Sequence, residues 1–123
     1  MKKAIKQVED LEVFRKAYRL SLELHEKCSR FPKHEQFHGV ADQLRRASKG
    51  VCANLAEGFG KQAYSKAEFK RYIAMAIGSA DGARLWLSYS RDLGYLPRKE
   101  AETHRERYRA IAKMLTGLYK IWG

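Results

Sequence analysis

The chain has 123 residues, 45% hydrophobic and 32% charged, and its 25 Lys and Arg against 14 Asp and Glu leave a formal charge of +11 at pH 7. That length fits one domain, spanning 1–123 with a core of working size, and excludes a catalytic domain with a separate recognition domain beside it. No run approaches the ~18 apolar residues of a membrane span, and MKKAIKQVEDLEVF turns acidic before any apolar signal region forms, so the chain reads as cytoplasmic.

Residues 1–9 read as a basic, flexible lead-in. Asp10 is placed to cap a first helix reaching about Arg30. That helix carries two apolar seams. One holds Leu11, Phe14, Tyr18, Ser21, His25 and Cys28, the other Val13, Ala17, Leu20, Leu24 and Phe31. Two seams exceed what one bundle core needs, so part of this surface is expected against another subunit. Phe31-Pro32-Lys33 ends the helix, because proline cannot continue it.

A second helix is expected from about Glu35 to Phe59. Leu44, Ser48, Val51, Leu55 and Gly58 form its core seam, while Arg45, Arg46 and Lys49 share a cationic side. Ala53 and Ala56 make a third, small-residue face that a neighbouring backbone could approach. Gly58-Phe59-Gly60 is read as the helix stop. Ser65 and Glu68 form a capping box for the third helix, whose seam is Phe69, Ile73, Ala76, Ala80, Ala83 and Leu87 and which reaches about Leu93. Gly78 and Gly82 cost roughly 1 kcal/mol of propensity each, a cost that close helix approach would offset. Gly94 is the C′ residue, and Pro97 marks the next start.

The last helix, Arg98 to Ile121, sustains a heptad seam of Ala101, His104, Tyr108, Ile111, Leu115, Leu118 and Trp122. Arg98, Arg105, Arg109, Lys113 and Lys120 fall on one flank, within an arc of roughly 80°. With short connections and no alternating strand pattern, the four segments predict an all-α, up-down-up-down antiparallel four-helix bundle.

Few residues suggest bond-making chemistry. Cys28 and Cys52 are single and lack CxxC pairing, so they read as buried thiols rather than a disulfide, zinc ligands or nucleophiles. His34-Glu35-Gln36-Phe37-His38 matches HExxH, in which two histidines one helical turn apart hold zinc and the glutamate acts as base. Here it directly follows Phe31-Pro32-Lys33, at a frayed helix start, and the extended form is missing because Ala41 and Leu44 stand where glycine and histidine would. The histidines are read as surface residues, with no catalytic residue, metal or cofactor expected. Gly58-Phe59-Gly60-Lys61 lacks phosphate-loop spacing and follows a helix. Glu57 reads as a polar contact between helices and His104 as a seam histidine. Tyr64, Tyr72, Tyr89 and Tyr95 read as packed rings with wet hydroxyls rather than base-stacking platforms.

The excess positive charge points to a polyanion, nucleic acid first, since each neutralised phosphate releases counterions. A membrane surface fits less well, because no segment joins a strong basic face to large exposed apolar residues. The candidate contacts are Arg45, Arg46 and Lys49 on one helix and Arg98, Arg105, Arg109, Lys113 and Lys120 on another. Without a base-reading helix or an RNA-module signature, binding is expected to be directed at the RNA or DNA backbone. The alternative is an interaction scaffold whose partner is an acidic protein.

Asp10-Leu11-Glu12-Val13-Phe14-Arg15-Lys16-Ala17, Phe31-Pro32-Lys33, Gln43-Leu44-Arg45-Arg46-Ala47, Asn54-Leu55-Ala56-Glu57-Gly58-Phe59-Gly60 and Asp92-Leu93-Gly94-Tyr95-Leu96 resemble the four-helix bundle proteins encoded within intervening sequences of 23S ribosomal RNA genes. The resemblance implies a protomer that assembles into a ring-like homo-pentamer. It also implies kinship with the accessory proteins of diversity-generating retroelements, which bind nucleic acid through a basic surface. It brings no catalytic residues. The chain departs from that pattern at Gly82 and Arg84, where the family carries two glutamates, and at Cys52, where it carries a proline. Two lost carboxylates and one gained arginine make this member more basic.

Overall fold

A computed structural model describes residues 4–122. It contains four helices: α1 (Glu12–Cys28), α2 (Val40–Lys61), α3 (Lys66–Asp92) and α4 (Arg98–Ile121), with 3-10 turns at Val8–Asp10 and Lys33–Glu35. No strand occurs among the described residues. Neighbours in sequence are neighbours in space, α4 closes against α1, and the diagonal pairs α1/α3 and α2/α4 do not approach each other. This is the expected all-α four-helix bundle.

The core follows the seams. On α3 every predicted seam residue is buried, and on α4 Ala101 to Leu115 are buried while Leu118 is partly so. On α1 the two seams divide. Val13, Ala17, Leu20, Leu24 and Phe31 enter the core together with Leu11, Ser21 and Cys28, whereas Tyr18 stays 50% exposed and His25 faces solvent. Leu22, 54% exposed, joins Phe14 and Tyr18 at steps of four, making an outward apolar ridge.

The helix ends depart from expectation at several points. Asp10 does not cap α1. Its Oδ2 accepts the backbone N–H groups of Lys6 at 2.9 Å and Gln7 at 3.1 Å, which closes the preceding 3-10 turn and leaves Leu11 in the cap position. The end of the lead-in is therefore structured, and Val8 packs on the core. The second helix begins at Val40, five residues later than predicted, because Glu35 caps it from outside: its Oε1 accepts the Val40 N–H at 2.9 Å. Gly39 leaves room for that carboxylate, and a β-carbon there would collide with it.

Gly58 does not stop α2, which runs on to Lys61. It is buried, and a β-carbon on it would collide with Tyr72. Gly50 is similar, its β-carbon position lying 2.9 Å from Ser79 Oγ. The close approach expected at Gly78 and Gly82 is thus made by α2 glycines instead. Nothing lies within 4 Å of a β-carbon on Gly78, and one on Gly82 would touch only Ala47 at 3.9 Å. Gly94 does take the left-handed conformation, φ +79°, in the turn after α3. The capping box forms by half. Ser65 Oγ accepts the Glu68 N–H at 3.1 Å, while the Glu68 carboxylate binds Arg71 at 2.8 Å.

Candidate nucleic-acid interface

The HExxH segment is not helical. His34 lies in the 3-10 turn, His38 has a left-handed backbone at φ +62°, and so the two imidazoles do not share a helical face. Glu35 is occupied twice over, since Tyr95 donates its hydroxyl to Oε2 at 2.6 Å while Val40 holds Oε1. Both bonds favour the charged carboxylate and lower its pKa, the Tyr95 bond most. Among the described residues no group of three His, Cys, Asp or Glu is placed to hold a metal ion. Burial pushes both Cys28 and Cys52 up to about 11, so each is a protonated thiol at neutral pH.

The cations expected on α2 have separate fates. Arg45 turns into the connection between α1 and α2, where its Nη1 donates to Gln36 Oε1 at 2.6 Å and its Nη2 to the Gln36 carbonyl at 2.9 Å. Gln36 in turn donates to the carbonyls of Cys28 and Phe31. Arg45 therefore clamps a loop, although the helical period groups it with Arg46 and Lys49. Arg46 is exposed but shares its charge with Asp42 at 3.2 Å. Lys49 is exposed and makes no ion pair or hydrogen bond among the described residues. Ala53 and Ala56 lie open beside it.

The α4 cations form a different surface, on the diagonal opposite α2. One protomer does not join the two sets. Near the start of α4, Glu102 receives the Arg91 guanidinium and Arg105 Nη1 at 3.2 Å. Asp92, bonded to Arg91 at 2.7 Å, also feels the positive charge of Arg98 and Arg105, and the Arg91 bond is the main cause of its lowered pKa. Charge is thus largely balanced at that end. Towards the end of α4 it is not. Arg109 reaches Glu106 only at 3.8 Å, and Lys113 and Lys120 have no carboxylate partner among the described residues.

Arg84, which the sequence reading treated only as a departure from the family pattern, belongs beside them. It lies seven residues after Ile77, three after Asp81 and seven before Arg91, all residues of the α3 flank that meets α4. Its Nε is buried without a hydrogen-bond partner. The Arg84/Arg91 spacing of seven was the available signal. Phe37 was also missed: it stands 83% exposed at the tip of the α1–α2 loop.

Residues 9–117 match the sequence profile of the 23S rRNA-intervening sequence protein family. A similar solved structure is that of a protein of unknown function from the S23 ribosomal protein family of Bacteroides thetaiotaomicron. It shares 21% identity over 88% of this chain and 95% of that one, with a TM-score of 0.77, a likeness of fold. No curated protein matches the chain. No helix among the described residues is long and apolar enough to cross a membrane.

Proposed function

The chain belongs to the 23S rRNA-intervening sequence protein family, and from that premise we propose that it is a non-enzymatic, cytoplasmic nucleic-acid-binding accessory protein that works as a homo-oligomer, a pentamer by the family resemblance. The observation that carries the reading is the unbalanced charge towards the end of α4, where Arg109, Lys113 and Lys120 follow one flank with a single carboxylate at 3.8 Å among them. Such a strip attracts phosphates over several ångströms and reads no base edges.

The α2 cations contribute less, because Arg45 is engaged in the loop and Arg46 is paired. The non-enzymatic reading is supported by the state of the groups the sequence offered for chemistry: two thiols whose pKa burial raises, and a glutamate held by Tyr95 and Val40. Assembly is supported by apolar surface that the bundle leaves uncovered, Tyr18 and Leu22 on α1 and Leu85 and Tyr89 on α3. In a ring, strips too weak alone act together, and avidity rises by roughly 10² to 10⁴ where geometry permits.

Salt titration of binding to RNA, to DNA and to an acidic polypeptide tests the reading, with light scattering behind size exclusion on the same sample. A linear fall of log affinity with log salt for nucleic acid alone, from a particle several times the protomer mass, is expected. Preference for the acidic polypeptide would favour a protein-binding scaffold, and a particle of protomer mass would remove the ring.

A further inference from the structure

Between α3 and α4 runs an open trough of about 500 Å³. We propose that this trough is the track on which a phosphodiester backbone lies, with Gly117 as its floor and Arg84 as a cation at its upper end. The inference rests on the nucleic-acid reading and names the contact surface within it.

Three observations converge there. The first is the rim: Arg109, Lys113 and Lys120 line the trough. Arg109 and Lys113 are one helical turn, ~6 Å, apart, which is comparable with the step between successive phosphates on one strand. The second is the floor, made by Ala112, Thr116 and Gly117. Thr116 turns its hydroxyl back to the Ala112 carbonyl at 2.9 Å, so nothing bulky stands in the way. Glycine inside a helix costs about 1 kcal/mol relative to alanine, and here no neighbour within the protomer requires it, for nothing lies within 4 Å of a β-carbon on Gly117. Gly58, whose β-carbon would strike Tyr72, shows what an internal reason looks like. Gly60 and Gly78 are open in the same way; what sets Gly117 apart is its place in the trough lined by Arg109, Lys113 and Lys120, where a missing side chain lets a strand lie close to the α4 backbone.

The third observation is Arg84, which follows the wall residues Ile77 and Asp81 by seven and three positions along α3 and so lies just beyond the lined trough on the same flank, its buried Nε without a hydrogen-bond partner. Asp81 is the one carboxylate lining the trough. It opposes a phosphate and supplies a test of opposite sign. Charge selects among occupants. A second copy of this chain carries the same excess of +11, so a rim of three cations disfavours it, and a polyanion fits.

The test measures fluorescence anisotropy with single-stranded and duplex RNA and DNA probes, and light scattering on every variant. Gly117→Leu keeps every charge, and its β-carbon meets no neighbour in the protomer, so with a circular-dichroism melt confirming the fold it should weaken binding roughly tenfold by lifting the backbone off the floor. Gly60→Leu, also an open helical glycine but on α2, should leave affinity unchanged. Arg84→Gln should lower affinity and reduce the salt slope by about 0.7 to 0.9. Asp81→Asn should raise affinity several-fold. Wild-type affinity in both Gly117→Leu and Arg84→Gln, while the parent protein still binds, overturns the trough and leaves the nucleic-acid reading in place. Loss of binding in Gly117→Leu only because the particle falls to protomer mass overturns it too, and makes the trough a subunit interface. A parent protein that binds none of the probes overturns both.

Discussion

The seam between α2 and α3 and the seam between α1 and α4 close the same bundle by different means. Along α2–α3 the backbones meet at glycines: Gly58 lies against Tyr72 and Gly50 against Ser79, and Asn54 reaches Ser79 Oγ at 3.5 Å. Along α1–α4 the helices stand further apart and leave an opening of about 330 Å³ beside Glu23, Arg107 and Met114. Long charged side chains span it. Lys27 Nζ lies 2.6 Å from Glu100 Oε1, and Arg107 Nη1 donates to Glu23 at 2.5 Å. One seam depends on volume, and the other on charge. The first resists salt and pH but rejects added carbon at Gly50 and Gly58, whereas the second tolerates shape changes and answers to solution conditions.

The largest effect should come from filling the tight seam. Gly58→Val puts a branched side chain where Tyr72 already sits and should cost about 3 kcal/mol of unfolding free energy in a urea titration. An unchanged midpoint would mean that α2 and α3 can separate freely. The next effect belongs to His104, buried on the α4 side of the loose seam, with Nε2 unpartnered and 3.9 Å from Glu100. Burial lowers its pKa below 6.5, with Arg107 and Lys27 acting in the same direction and Glu23 and Glu100 against it. The unfolded histidine takes a proton near pH 6.5 while the folded one resists it, so stability falls as pH drops below 6.5. The slope is at most about 1.4 kcal/mol per pH unit. His104→Gln should flatten that slope, and an equal acid sensitivity in the variant would assign it to the carboxylates.

Breaking an ion pair on the loose seam should matter less. Lys27→Met, at a pair partly open to water, should cost about 1 kcal/mol at low salt and almost nothing at 1 M. A loss that persists unchanged at 1 M salt would show that screened charge is not what holds this pair. The smallest effect has the opposite sign. Gly78→Ala, at an open helical position, should raise stability by up to about 1 kcal/mol in the isolated protomer. A loss there, measured on the assembled particle, would place Gly78 in a subunit contact.

This contrast also explains what was legible in the chain. The α3 seam and the α4 seam as far as Leu115 could be read from the chain, because periodicity reports burial wherever one stripe of a helix faces one core, while Leu118 and Trp122 at the end of α4 are only partly covered. The first helix offered two stripes, and only the position of α2 and α4 decides that Leu20 and Leu24 enter while Tyr18 stays out. At Gly58 composition suggested a stop and packing overruled it, since the partner that needs the missing side chain, Tyr72, lies beyond the turn. Among the candidate contacts, the engagement of Arg45 with Gln36 was not legible, because the helical wheel gives direction and not partners, and Gln36 lies outside the helix. Arg84 was passed over because its role depends on register against α4, which no single-helix pattern contains.

The bond from Tyr95 to Glu35 joins residues sixty positions apart. It ties the α1–α2 connection to the α3–α4 connection, and the Phe31 and Tyr95 rings, 5.3 Å apart, pack across the same junction. In the language of native-state hydrogen exchange, the two connections form one opening unit. The Val40 amide, bonded to Glu35, and the Tyr95 amide, bonded to the Ser90 carbonyl at 2.8 Å, should therefore lose protection together. One end of the bundle is thus fastened by a single knot, and Tyr95→Phe, which removes the bond but keeps the ring, should raise exchange at both amides together.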